Sequence, residues 1–460
     1  MSENNNKILN LEINEIIKKI NEDKITVCVI GIGRIGLPTA LSFAKSGLMT
    51  VGVDINSELI DKINSGIYPL KDEPEYDVIF ENVTKNKKFQ ATNDIERAVP
   101  ASDVILLSLP TPMDETNVPD YSALRIVGKQ LNKLLADGTL VIVESTIEPG
   151  FIENELIKII EGDDNRLKVG VNFSIGVCPE TANPGEIAID FSKLPRLVGA
   201  INEKTQRIII ELYKHVFPVD LIPMPNCKTA NAVKLTTNVF RDINIAFINE
   251  LALLFEKLGI DTMTVLEAAK TKYNFQVHYP GAGVGGPCLP VNSYQLLNSS
   301  TAAGLNELSI VKAGRKINEK MPFHVVDLIT QAFSDANIGL KESSILILGV
   351  SYKPNVKDLQ LSPAKIVIDE LKKKGAKIKI YDPYFSNSTV YDIMVENNFA
   401  EILSDIDCLV LLTAHNEFLN IDPGFLKSRM KNPLLIDSRG VFEPKEVEKV
   451  GLIFKGVGRG

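Results

Sequence analysis

The run GIGRIG places Gly31, Ile32, Gly33, Arg34, Ile35 and Gly36 directly after the apolar segment ITVCVI and directly before a helical pattern, and Asp54 closes the next apolar segment, VGVD. This spacing suits a dinucleotide: a tight turn at the first glycine, close backbone approach to the pyrophosphate at the second, helix packed on strand at the third, and an acidic residue about twenty positions on for the ribose hydroxyls. Asp54 would repel a 2′-phosphate, and Ile55 and Asn56 behind it bring no arginine to neutralise one, so NAD is expected rather than NADP. A second glycine-rich run, GAGVGGPCLPVNSY, sets Gly281, Gly283, Gly285 and Gly286 ahead of Cys288. A thiol on such a loop is open to approach, and its thiolate attacks carbonyl carbon well. Cys28 and Cys408, inside apolar runs, read instead as small buried hydrophobes. Lys234 and Asn238 lie four apart in a long helical stretch, on one face, where an ammonium and an amide can stabilise an oxyanion. The same ammonium would favour a thiolate at Cys288.

These groups need elements to hold them. From Lys24 onward, short β-branched runs alternate with helical stretches: ITVCVIGIG, MTVGVDI, VILLSLP, GTLVIVEST and LKVGVNFSIG as strands, with a helix through LPTALSFAKSG. Continuous apolar strands interleaved with helices imply a parallel sheet buried on both faces, a doubly wound domain to about residue 222. Next comes a helix with Asn226 as N-cap and Gly259 as its stop, about 50 Å long at 1.5 Å per residue. Its apolar positions, from Val233 to Leu258, go most of the way round, which predicts burial between domains or subunits and a homodimer or higher homo-oligomer. A second α/β pattern begins near Ser343 with SSILILGVSYKP, then a helix Pro363 to Lys374, AKIKIYDPY, CLVLLTAH and PLLIDSRG. The fold class is therefore α/β: two Rossmann-like doubly wound domains joined by a long central helix and a helical middle domain. The expected divisions are a helical extension over 1–24, an NAD-binding domain over 25–222, a central helical dimerisation domain with the cysteine loop over 223–335, and a C-terminal α/β domain over 340–460.

Composition narrows the function classes. The 460 residues suggest about three packed units. A formal net charge of -8 argues against a nucleic-acid or anionic-membrane face while allowing a local basic pocket. No apolar run approaches a membrane span, and the N-terminal segment alternates charge with apolar residues instead of building a signal peptide, so a cytoplasmic protein is expected. Five widely spaced cysteines with no CxxC indicate neither a disulfide framework nor a zinc site, and no metal is expected. His215, His278, His324 and His415 fit no catalytic pattern and are assigned structural roles.

The ordered motifs GIGRIGLP, STIEPG, PETANPG, KLTTN, FINELA, PGAGVGGPCLP, GVSYKP and YDPY make the chain, from about residue 25 to its end, resemble the UDP-glucose/GDP-mannose dehydrogenase family. The resemblance implies an NAD-dependent oxidation of a nucleotide sugar's C6 alcohol to a carboxylate, through an aldehyde, a thiohemiacetal on Cys288 and a thioester. It places Lys234 and Asn238 at the oxyanion, Glu180 of CPETANPG as general base, and Thr146 as holder of a water. Pro110, Thr111 and Thr146 fall beside the cofactor. Gly285, Tyr352, Lys353 and Arg439 fall beside the sugar nucleotide, with Glu180, Lys234 and Asn238 also at the substrate, and the C-terminal domain is the one that binds the UDP-sugar. The forms of the cysteine loop and of PE...PG are most similar to the branch acting on UDP-N-acetylhexosamines, so UDP-N-acetyl-D-mannosamine is the expected substrate, with UDP-glucose or UDP-N-acetylglucosamine as alternatives.

Four positions depart from the family pattern. Asn292 stands where aspartate is usual, four residues after the cysteine, and an amide can hold a water but cannot take its proton. Thr181, Asn231 and Gln360 replace an arginine, a glutamate and an arginine. These changes keep a different class of function open: an NAD and sugar-nucleotide binding protein with impaired catalysis.

Overall fold

The structure, a computed structural model, describes residues 7–70, 72–73, 75–163, 166–305 and 307–459. The chain divides into two units, one holding residues up to Thr237 with Tyr294–Ala302, the other Asn238–Ser293 with the chain from Ala303 onward. The division falls inside two helices, Cys227–Leu258 and Leu289–Ala302.

In the first unit the apolar runs become β1 (Thr26–Ile30), β2 (Met49–Val53), β3 (Phe89–Thr92), β4 (Val104–Leu107), β5 (Thr139–Val143), β6 (Phe173–Val177), β7 (Arg196–Ala200) and β8 (Leu221–Pro223). They form one sheet in the order β3-β2-β1-β4-β5-β6-β7-β8. Alternation along β1 sends Val27 and Val29 into the core on one face and Cys28 and Ile30 into the core on the other. That two-sided burial explains why these strands read as unbroken apolar runs. The sheet is parallel except for β6 against β7. LKVGVNFSIG, expected as one strand, is strand only over its second half. Gly170, at φ +78°, turns the chain, and its N–H donates to Phe173 O at 2.7 Å. Of the expected N-terminal extension, residues 1–6 lie outside the described residues; the helix Ile13–Asn21 opens with a Glu12/Glu15 capping box and buries Ile16 and Ile20.

The second unit repeats the plan with β9 (Ser344–Leu348), β10 (Lys377–Tyr381), β11 (Thr389–Val390), β12 (Ile393–Glu396), β13 (Cys408–Leu411), β14 (Leu434–Asp437) and β15 (Ile453–Gly456), ordered β11-β12-β10-β9-β13-β14-β15. Here Ile345 and Ile347 of β9 face one core and Leu346 and Leu348 the other. Both sheets reverse direction at a switch point, β1/β4 and β9/β13, where open α/β sheets bind ligands. The fold class expected from the sequence is the one observed.

The central helix runs over Cys227–Leu258, and Asn226 Oδ1 accepts the N–H of Thr229 at 2.8 Å, so the expected cap is made. Gly259 ends it at φ +66°, a left-handed conformation that favours glycine. The other long helix of the second unit, Ser309–Asp335, buries Val325, Ile329 and Phe333 in that unit's core. Among the described residues no helix is long and apolar enough to cross a membrane.

Candidate active site

The cofactor loop sits at the first switch point. Gly31 turns at φ +88°, and its N–H donates to Val53 O at 2.8 Å. A Cβ at Gly36 would collide with the Gly31 carbonyl oxygen, whereas a Cβ at Gly33 would meet nothing within 4 Å. The first and third glycines are thus closed by protein, and the exposed second one leaves its backbone open to a ligand, as a pyrophosphate requires. The helix Gly36–Lys45 follows at once and turns its N-terminal end, the positive end of its dipole, toward that opening. Asp54 Oδ2 accepts the Ile32 N–H and Oδ1 the Asn56 N–H, both at 3.0 Å, which fixes the carboxylate at the end of β2. Arg34 pairs with Asp72 at 2.6 Å. These residues fit a dinucleotide.

Beyond β4 and β5 the same unit gathers Pro110, Thr111 and Thr146. The carbonyl of Thr146 accepts the Thr111 hydroxyl at 2.8 Å and the Gln295 amide at 3.0 Å, so Gln295 anchors Thr146. Glu180 lies just past β6, buried. Its Oε1 accepts the N–H groups of Thr181 at 2.6 Å and Ala182 at 2.8 Å, and its Oε2 pairs with Arg196 at 2.6 Å. Arg196 is almost wholly buried against the rings of Phe191 and Phe217, 4.5 and 3.9 Å from their centroids. Glu144, at the end of β5, accepts the Tyr213 hydroxyl at 2.6 Å. Burial pushes its carboxyl up to about 7, more than the nearby Arg196 offsets. Lys234 is buried on the central helix, 7 % exposed.

The second unit holds the thiol. Cys288 immediately precedes the helix Leu289–Ala302, and its carbonyl accepts the Asn292 N–H at 2.8 Å. Cys288 is half-buried while the other four thiols are buried. Burial pushes Cys28 and Cys227 up to about 12, and Cys178 and Cys408 also well up. Asn238 Nδ2 donates to Asn292 Oδ1 at 2.6 Å, so the amide at position 292 is held by an expected site residue.

The glycines of the loop are required by close approach. A Cβ at Gly281 would collide with the Arg439 guanidinium, one at Gly285 with the Leu361 carbonyl, and one at Gly286 with the Tyr352 ring. Tyr352 and Arg439 line a cleft at the second switch point with Ser351, Thr413 and Gly283, and Lys353 follows Tyr352, half-buried. His415 is fully buried, with Asp382 Oδ2 3.2 Å from Nε2 and the Asn355 N–H donating to Nδ1 at 2.9 Å. His324 contacts Glu256 and His215 contacts Asp23. Sequence reasoning missed Arg196, Glu144 and Gln295; the visible signal for the first was a cation opening the apolar run RLVGA.

Two expectations follow. Gly33→Ala should fold with an unchanged melting temperature yet weaken NAD binding by roughly tenfold or more, about 1.4 kcal/mol, because its methyl enters ligand space, whereas Gly36→Ala should destabilise the fold itself; calorimetry of binding and unfolding separates the two. Glu144 holds a proton in the folded chain that the unfolded chain releases, so its contribution is complete below the ordinary carboxylate range, near 4.5, and is lost as pH rises to about 7. Glu144→Gln should remove up to about 3 kcal/mol of that decline, seen as a flatter denaturation midpoint between pH 5 and 7.5.

Comparison with known proteins completes the picture. The chain matches the UDP-glucose/GDP-mannose dehydrogenase family in three parts: the NAD binding domain over residues 25–217, the central domain over 228–320 and the UDP binding domain over 346–444. It is 34% identical to the UDP-N-acetyl-D-mannosamine dehydrogenase of Pyrococcus horikoshii, over 94% of this chain and 99% of that one. It is 30% identical to the UDP-N-acetyl-D-glucosamine 6-dehydrogenase of Pseudomonas aeruginosa, over 86% and 92%. A solved structure of UDP-D-ManNAc dehydrogenase from Pyrococcus horikoshii superposes with a TM-score of 0.87 at 33% identity, covering 95% of this chain and 100% of that one. With a cofactor loop shaped for a dinucleotide and matches along nearly its whole length, the chain belongs to the UDP-glucose/GDP-mannose dehydrogenase family and is an NAD-dependent nucleotide-sugar dehydrogenase.

Proposed function

We propose that this protein oxidises the C6 alcohol of a UDP-sugar to a carboxylate in two successive two-electron steps, with UDP-N-acetyl-D-mannosamine as substrate and UDP-N-acetyl-D-mannosaminuronate as product, supplying a uronic acid for surface polysaccharide synthesis in the cytoplasm. The observation that carries the chemistry is Cys288, the one thiol of the five that is not buried, placed where a helix begins on a loop lined by Tyr352 and Arg439. The substrate is supported by the relatives named above. NAD, when bound, accepts hydride from C6. The chain's part is to hold and to exchange protons. The Cys288 thiolate adds to the aldehyde carbon, giving a thiohemiacetal; that carbon would give up its hydride to a second NAD to leave a thioester, and water releases the acid and the thiolate. Lys234 and Asn238 face the oxyanion, and Glu180 with Thr146 holds the attacking water. Tyr352, Lys353, Arg439 and Gly285 hold the sugar nucleotide. In this reading residues 25–222, 223–335 and 340–460 act as the cofactor, central and sugar-nucleotide domains, preceded by the 1–24 extension.

A second reading draws on Asn292 and on the occupied oxygens of Glu180: with little base at hand for thioester hydrolysis, the chain would bind NAD and a sugar nucleotide without full turnover. The Pseudomonas relative, named for UDP-N-acetyl-D-glucosamine, supports that sugar nucleotide as an alternative substrate, and UDP-glucose is a further alternative. Purified protein given NAD and a panel of these UDP-sugars with GDP-mannose should yield two NADH per acid formed from one substrate, and none with Cys288→Ala. One NADH would mean aldehyde release, and silence with intact NAD binding would favour the binder.

Phe240, Phe247, Leu254 and Leu258 leave about half of each side chain exposed at spacings of 7, 7 and 4, one stripe of the central helix. We read this stripe as a homodimer surface. Light scattering should give twice the chain mass; a monomer mass at every concentration would sink it.

A further inference from the structure

The Cys288 loop is bracketed by Gly281 and Ser293, and both brackets lead to one buried carboxylate. Gly281 N–H donates to Asn249 Oδ1 at 3.0 Å, Asn249 Nδ2 to Asn318 Oδ1 at 2.9 Å, and Asn318 Nδ2 to Asp242 Oδ1 at 2.8 Å. From the other end Ser293 Oγ donates to Asp242 Oδ2 at 2.7 Å. Arg315 pairs with Asp242 Oδ1 at 2.8 Å, and its other nitrogens reach Glu319. Asp242, Asn249, Ser293, Arg315 and Asn318 are all at most 4 % exposed. Three of the four side-chain links in the belt are sole connections, so removing one opens it. A fully satisfied buried network of this kind fixes geometry because every alternative leaves a polar group unpaired.

We infer that Asp242, charge-balanced by Arg315, is a positioning residue for the reaction: it holds both ends of the 281–293 loop and so sets where the Cys288 sulfur stands. The inference rests on the reading of Cys288 as nucleophile. It adds that the thiol's placement is governed from the central helix through Ser293 on one side and Asn249 on the other.

Asn249→Ala and Ser293→Ala cut the belt at opposite ends. Each should lower kcat about tenfold or more while leaving KM for NAD and for the sugar nucleotide within about twofold, since displacement near an ångström is enough to disturb attack. Each should also speed alkylation of Cys288 by iodoacetamide, followed by peptide mapping, because a loosened loop opens more often. The double variant should fall short of the sum of the two, as links in one chain do. Arg315→Lys should retain most of the turnover that Arg315→Met loses. Alkylation needs no turnover, so it reports on the belt even if Cys288→Ser proves active and the nucleophile assignment fails. Unchanged alkylation and kcat in folded Asn249→Ala and Ser293→Ala would overturn the inference. Should those variants not fold, hydrogen exchange of the unaltered protein decides: the Gly281 amide should be as protected as the central helix, and rapid exchange there would overturn it too.

Discussion

An unsatisfied polar group inside a protein is destabilising by about 1 to 3 kcal/mol, and that constraint shapes this molecule more than any single apolar contact. The central helix carries Asn231, Lys234, Asn238, Asp242 and Asn249, all buried, at spacings of 3, 4, 4 and 7. Such spacings lie along one stripe of a helix. Asn238, Asp242 and Asn249 find partners in the segment that carries the thiol, at Asn292, Ser293 and Gly281, and Asp242 and Asn249 also bond Asn318. Apolar packing decides that the helix is buried. The polar stripe decides which loop is tied to it, and where along its length.

The first unit solves a related problem differently. A chain of net charge -8 has carboxylates to spare, and two of them, Glu144 and Glu180, stand in its interior near a single guanidinium. Arg196 makes its direct pair with Glu180, and the rings of Phe191 and Phe217 pack against its guanidinium. Burial disfavours the charged form of Glu144 by more than Arg196, paired directly with Glu180, offsets, so this carboxyl keeps a proton up to a pH of about 7. The loop after β6 is consequently fixed by a charge pair, whereas the loop after β5 is fixed by a neutral acid and a tyrosine hydroxyl.

Much of this was legible in the sequence, and for stated reasons. The two sheets were readable because strands buried on both faces are apolar at every position, and the family because several motifs occur in order. Asn226 and Gly259 marked the ends of a helix whose limits the structure reproduces. The turn at Gly170 was misread because LKVGVN alternates as a strand would, and only a bond from Gly170 back to Phe173 distinguishes the two. Arg196 and Gln295 were invisible as site residues because their partners lie 16 and 149 positions away, distances that no local pattern reports. Asp242 was hidden in a stretch chosen for its apolar content. The cofactor residues expected from motifs are where loops meet strand ends, Lys234 and Asn238 stand on the central helix, and the supports Asp242 and Arg196 are buried where sequence carries the least signal.

The two nucleotide-type sheets each have a switch point between parallel strands, β1/β4 and β9/β13, but present different chemistry there. The first offers bare backbone, with Gly33 open to solvent, and the second offers side chains, Tyr352 and Arg439. The distribution of sulfur has a further consequence. Four thiols are sealed in cores and only Cys288 is within reach of small solutes. Peroxide attacks accessible thiolates and advances them through sulfenic to sulfinic acid. Oxidative damage to sulfur is therefore confined to one cysteine of the five, and on the proposed reading of Cys288 as nucleophile it would compete with catalysis for the same atom.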